Sequence, residues 1–142
     1  YQVFFNTATI EEAGLDYAAV KQAVVNRLKK EKIVHYAFDM EKTSTESIPE
    51  QLKFRAINGY NRERSGGVQI VLKPAHYEYD VAKGTSHGAW NPYDIHIPLV
   101  FMGWHIQHGA TTQPHYMTDI AATVSALLHI QAPNGCIGTP IF

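Results

Sequence analysis

The sequence predicts an α/β fold, with a mixed β-sheet and helices packed against it. Predicted elements alternate in the order β-α-β-α-β, followed by a long loop, a further strand and a closing helix. The strand candidates are short runs rich in β-branched and aromatic residues, whereas the helix candidates repeat apolar residues every three or four positions. No internal repeat, low-complexity tract or linker divides the 142 residues. We therefore expect a single domain over residues 1–142.

The first half of the chain supplies three predicted strands and two predicted helices. A helix is expected from about Asp16 to Lys30, because Asp16 can cap the first turn and apolar residues follow at helical spacing. Pro49, at a first-turn position, begins a second helix that extends toward Tyr60. The Ser- and Thr-rich stretch 41–47 predicts a turn or loop. The strands are predicted at residues 1–5, 33–40 and 68–72.

The second half combines a long aperiodic stretch with a strand and a helix. Residues 74–96 show no strong periodicity, and a loop of that length in a compact domain is usually functional or disordered. Residues 97–102 are apolar apart from Pro98, which predicts a strand covered on both faces and central to the sheet. Thr118 is expected as the N-cap of a closing helix with an apolar stripe, ended by Pro133-Asn134-Gly135.

Composition excludes several classes of partner. The chain has 12 basic and 13 acidic residues, so its net charge of −1 gives no general attraction to a nucleic-acid polymer or an anionic membrane. No apolar run approaches the roughly 20 residues of a membrane span.

A lone Cys136 rules out an intramolecular disulfide. The chain starts at Tyr1 within a strand-like run, which leads us to expect a piece of a longer protein.

The long loop carries the strongest chemical candidate, His87, in the motif Gly84-Thr85-Ser86-His87-Gly88. Glycines on either side of this region let the backbone come close to a ligand, and a neutral imidazole can bind a metal or contact a phosphate. The residues alone leave a second interpretation open, in which His87 is a solvated or hydrogen-bonded side chain. Ser86 follows no strand-to-helix elbow, so we do not assign it as a nucleophile.

The passage around His87 resembles the last part of the catalytic domain in the alkaline phosphatase superfamily. The similarity is greatest to its bacterial zinc-dependent phosphomonoesterases and phosphodiesterases, including the nucleotide pyrophosphatase-like branch. It is firm over residues 58–138 and looser over residues 1–57. The chain departs from the family at Gly67, where relatives often carry an acidic residue, and at Ala122, where they often carry proline. The matching motifs are Asn58-Gly59-Tyr60, Arg64-Ser65-Gly66, Gly84-Thr85-Ser86-His87-Gly88, Tyr93-Asp94, His96-Ile97-Pro98-Leu99 and Thr118-Asp119-Ile120-Ala121.

The resemblance implies that this chain is the C-terminal portion of an alkaline-phosphatase-like catalytic domain. It implies that His87 is a zinc ligand in a two-zinc site that hydrolyses a phosphate ester. The family's nucleophile and remaining ligands lie upstream, so no catalytic residue is assigned within this chain. We expect the chain alone to be inactive and to hold no zinc. The resemblance also implies a periplasmic or secreted location, and it leaves monoester and diester substrates open.

The resemblance also leads to two expected partners, the N-terminal part of the same protein and a second copy of the fragment. The missing N-terminal part of the protein would cover apolar surface that this chain exposes, so we expect the isolated fragment to form a homo-oligomer. The alternative class of protein is a stand-alone α/β binding or interaction module with a purely structural His87 loop.

Other polar residues are expected to have structural roles. Asp94 is predicted to cap a turn, with a hydrogen bond to a metal-bound His87 as the alternative. His96 is expected at the start of the following strand. His105, His108 and His115 lie close together in sequence, but nothing places them on one face, so we expect scattered surface histidines.

Overall fold

A three-stranded antiparallel sheet frames the first part of the chain in the computed structural model, which describes residues 1–77 and 87–142. The described residues fall into two units, Tyr1–Ile97 and Pro98–Phe142. The single domain over residues 1–142 stays a prediction. The first unit contains β1 (Gln2–Val3), α1 (Thr7–Glu12), α2 (Tyr17–Leu28), β2 (Val34–Asp39), a 3₁₀ helix (Met40–Thr45), α3 (Glu50–Gly59), β3 (Val68–Leu72) and α4 (Pro92–Ile95). The second contains α5 (Asp119–Leu127).

The strand order is β1-β3-β2, so the last strand in sequence lies at the centre of the described sheet. Val68 pairs with Val3 on one side and with Asp39 on the other. A register irregularity separates Val34 from Tyr36. The α/β class is confirmed. All the described strand pairs are antiparallel, whereas the sequence predicts a mixed sheet.

The core of the first unit lies between the sheet and α3. Phe38 is completely buried, and Met40, Leu52 and Val71 complete the buried cluster. Trp90, which is three residues after His87, packs against this cluster. The core therefore fixes the chain immediately beyond the His87 motif.

Helix α2 confirms the sequence prediction, because its capping residue and its apolar spacing both lie where the sequence indicates. The Asp16 carboxylate accepts the Ala19 N–H at 2.9 Å, and Val25 is buried on the inner face. Helix α1 was not predicted. The Asn6 side chain caps α1 by accepting the Thr9 N–H. No residue of α1 is buried, and its sequence lacks the apolar periodicity that identifies an amphipathic helix.

The predicted central strand at residues 97–102 is wrong. These residues form neither strand nor helix, and Val100 and Met102 are 81% and 94% exposed. A continuous apolar run indicates a strand only where neighbouring strands pair with it, and Pro98 removes one of the donors that such pairing needs. The segment instead displays its apolar side chains on the surface of this chain.

The second unit is organised by α5 and the C-terminal segment. Thr118 occupies the predicted N-cap position of α5, but its side chain makes no capping hydrogen bond and its backbone already has helical angles. The carboxylate of Asp119 instead accepts the N–H groups of Tyr116 and Thr139, at 2.9 and 3.1 Å. The Thr123 hydroxyl donates to the Asp119 carbonyl and accepts the Ile141 N–H. These bonds hold residues 139–141 against the helix.

Candidate functional site

His87 lies on an exposed segment whose far end is anchored in the core. Gly88 has a φ of 100°, which is open to glycine but unfavourable for other residues. Three residues on, Trp90 contacts the Tyr36 ring edge-on at 6.3 Å between centroids, and Asn91 is 4% exposed. The His87 residue therefore lies at the surface, close to a segment whose position is fixed by the core. Gly84, Thr85 and Ser86 of the predicted motif lie outside the described residues.

A cleft of about 420 Å³ opens beside His87 within the first unit. Its walls come from β3, the turn that follows β3, the His87 segment and α4, with Tyr1 and, from α3, Leu52 completing the lining. The polar side chains that line it include His76, His87 and Asp94, while Leu52, Trp90 and Tyr93 give it an apolar and aromatic wall. The structure therefore brings two histidines and a carboxylate to one cavity.

Asp94 lies in the first turn of α4, where its N–H donates to the Asn91 carbonyl at 2.8 Å. Asp94 is exposed and lines the same cleft as His87, and both of its predicted roles stay predictions. His96 ends α4 and precedes coil instead of the expected strand.

Sequence reasoning missed His76 as a neighbour of this site. Its Nδ1–H donates to the Pro74 carbonyl at 2.9 Å, which leaves Nε2 as the nitrogen with a lone pair. His76 follows Ala75, which has a φ of 61°. No local sequence signal marks this turn, because left-handed backbone is uncommon outside glycine, asparagine and aspartate.

The histidines of the second unit are exposed. His105 packs against Trp104 at 3.8 Å between ring centroids, and His115 Nδ1 lies 4.0 Å from the Asp119 carboxylate. Within residues 1–77 and 87–142, no three His, Cys, Asp or Glu side chains come together as a metal site. An exposed imidazole such as His87 suits zinc, but this part of the chain offers it as a single ligand and not as a complete set.

The comparisons with known proteins point to one family. The chain is 48% identical over 141 residues to the alkaline phosphatase PafA of Elizabethkingia meningoseptica, which spans 99% of this chain and 26% of PafA. It is 49% identical over 140 residues to the alkaline phosphatase PhoV of Synechococcus elongatus, which spans 99% of this chain and 25% of PhoV. The crystal structure of wild-type PafA superposes with a TM-score of 0.95 over 99% of this chain and 27% of that chain. This chain is a homologue of one part of the alkaline phosphatases PafA and PhoV. Its fold is the fold of the corresponding 27% of the PafA chain.

Two further comparisons give a relative with a different name and a search without a match. A Myroides odoratus protein named as a calcium-transporting ATPase is 45% identical over 142 residues, with the chain spanning 26% of it. No protein-family model matches the chain. The chain spans about a quarter of the length of the curated relatives that it matches. None of the helices in the described residues combines the length and apolar character needed to cross a membrane.

Proposed function

We propose that this chain is the C-terminal portion of a zinc-dependent phosphoric ester hydrolase, to which it supplies one metal ligand, His87. The observation that carries the proposal is the near-half identity to two alkaline phosphatases across 99% of the chain. The exposed imidazole of His87, on a cleft with a second histidine and a carboxylate, supports it chemically.

In this proposal the chain's own task is to hold one imidazole at the metal site. When bound, zinc would polarise a phosphoryl oxygen and offset the negative charge that develops during transfer. His87 would hold it, with its segment fixed by Trp90 and Asn91. The nucleophile and the other ligands come from the remaining part of the protein, which is therefore the partner that completes the site.

Three further features belong to the proposal. The protein is exported to the periplasm or secreted, which follows from the resemblance to the family. Its substrate is a phosphate ester, either a monoester or a diester. The homo-oligomer of the isolated fragment stays a prediction, supported by exposed apolar residues such as Val100, Met102 and Trp104.

The experiment measures zinc and activity together in the full-length protein that contains these 142 residues. We expect about two zinc ions per chain and hydrolysis of an aryl phosphate, as in a two-metal site. His87→Ala should lose about one zinc and most of the activity. The matched control is His35→Ala, which removes an exposed histidine of β2 that stacks on Tyr36 and does not line the cleft. Unchanged zinc content in His87→Ala would overturn the ligand assignment.

The same assay separates ester from anhydride substrates. Because one relative is named as an ATPase, ATP is included beside an aryl monoester and an aryl diester. A full-length protein that binds no zinc and hydrolyses none of the three would overturn the enzyme assignment and favour the α/β binding module.

A further inference from the structure

Two segments that flank His87 are joined by a hydrogen bond between residues 18 positions apart. The backbone N–H of Ala75, in the turn after β3, donates to the Tyr93 hydroxyl of α4 at 2.8 Å. His87 lies between these two residues in sequence, and all three line the same cleft. The bond therefore joins the turn after β3 directly to α4, on either side of His87 in sequence.

The Ala75 side of this hydrogen bond has a backbone conformation that its own sequence does not favour. Ala75 has a φ of 61°, where its Cβ is sterically unfavourable. Such backbone persists only when the surrounding structure over-determines it. Bonds from the His76 N–H to the Lys73 carbonyl and from the Lys73 N–H to the Ile33 carbonyl hold the turn to the sheet. The Tyr93 hydroxyl adds a tie from outside the turn.

The downstream side is held by the core. Trp90 packs on the cluster of Phe38, Met40, Leu52 and Val71, and Asn91 is buried. The N–H groups of Asp94 and Ile95 both donate to the Asn91 carbonyl, which fixes the turn that carries Tyr93. Each end is thus held by its own contacts with the sheet or the core, and the Tyr93 hydroxyl joins the two ends directly.

We propose that Tyr93 is a positioning residue for His87, acting through its hydrogen bond to Ala75. This inference rests on the proposed function, in which His87 ligates zinc. Tyr93 does not itself contact the metal; it limits the positions that His87 can occupy. Groups that orient a ligating histidine typically change metal affinity by about 10- to 100-fold when they are removed. Because Tyr93 acts through the backbone, we expect an effect near the lower end, about tenfold.

The test uses Tyr93→Phe in the full-length protein, which removes the hydroxyl and keeps the ring. We expect zinc affinity, measured by competition with a chelator, to fall about tenfold. Activity at limiting zinc should fall in parallel and recover at saturating zinc. In the metal-free protein, amide hydrogen exchange at residues 88–91 should become faster. Tyr36→Phe is the matched control, since the described contacts of Tyr36 with His35 and Trp90 are made by its ring.

A second variant separates positioning from a general loss of structure. Glycine adopts positive φ without the penalty that alanine has, so Ala75→Gly should relieve the turn. The double variant with Tyr93→Phe should regain part of the lost zinc affinity. Wild-type zinc affinity in Tyr93→Phe, or an equal loss in Tyr36→Phe, would overturn the proposal. If His87→Ala also keeps its zinc, the proposed function fails with it; if His87→Ala loses zinc, only the positioning role fails.

Discussion

The Lys21 ammonium and the Asp39 carboxylate form an ion pair of 2.9 Å in which both side chains are almost completely buried, at 3% and 6% exposure. Lys21 comes from α2 and Asp39 ends β2, so the pair joins the helix to the sheet. Burial alone lowers the pKa of Lys21, but hydrogen bonds and charges from Glu41 and Asp39 outweigh it and raise that pKa. The Asp39 carboxylate also accepts the Glu41 N–H at 3.0 Å.

Replacing Lys21 with methionine is expected to destabilise the chain by about 3–5 kcal/mol, because it leaves the buried Asp39 carboxylate without its cation. Methionine keeps the apolar stem, so packing changes little. The measurement is the free energy of unfolding in urea. Lys29→Met, at the exposed end of α2, is the control and should change it by about 0.5 kcal/mol or less. Equal effects of the two substitutions would show that the buried pair does not stabilise the fold.

Acid is expected to loosen the second unit through Asp119. Hydrogen bonds from the Tyr116 and Thr139 N–H groups, aided by the charge of His115, lower the Asp119 pKa against an opposing effect of burial. A lowered folded pKa means that the contribution to stability is present above the ordinary value of 3.8 and is lost as pH falls through the folded pKa. Amide exchange at Thr139, corrected for intrinsic rates, should therefore rise in that range.

Asp119→Asn provides the control for that pH dependence. Asparagine keeps one acceptor oxygen but does not titrate, so Thr139 exchange should be faster at neutral pH and nearly independent of acid. A variant that retains the full wild-type acid response would show that another group causes it.

Local signals made α2 and β3 predictable, whereas the strand predicted at residues 97–102 depended on tertiary contacts that local sequence does not encode. Asp16 caps α2 and apolar spacing marks its inner face, so both signals lie within a few residues of one another. The segment 97–102 has the composition of a buried strand, but no described strand pairs with it. The apolar side chains of a segment indicate that its surface is covered in the complete protein. They do not indicate whether a neighbouring strand or another part of the protein covers that surface.

The glycines around His87 make it a ligand candidate, but the residues alone leave a solvated or hydrogen-bonded histidine open as a second interpretation. Its assignment as a zinc ligand rests on the family resemblance and stays a prediction. The bond between Ala75 and Tyr93 depends on a positive φ at an alanine and on residues 18 positions apart. Neither feature leaves a pattern in the sequence, which is why the turn and His76 were missed.

The C-terminal segment is expected to be sensitive to any side chain at Gly138. A Cβ built there would lie 2.0 Å from the Thr118 carbonyl oxygen, so the backbone must move to accept alanine. Gly138→Ala should therefore weaken the bonds that residues 139–141 make with α5, seen as faster amide exchange at Thr139 and Ile141. Gly109→Ala is the matched control, since a Cβ at Gly109 meets nothing within 4 Å. Unchanged exchange in Gly138→Ala would contradict the close approach.

The 142-residue chain by itself is expected to hydrolyse no aryl phosphate above background and to retain no zinc after dialysis. A catalytic zinc uses about three protein ligands, and the described residues bring no such group together. His87 alone should bind the metal too weakly to survive dialysis, so wild type and His87→Ala should have the same low metal content. Elemental analysis and an aryl phosphate assay with added zinc measure both properties. Zinc-dependent turnover by this chain, abolished in His87→Ala, would instead place a complete site within its 142 residues.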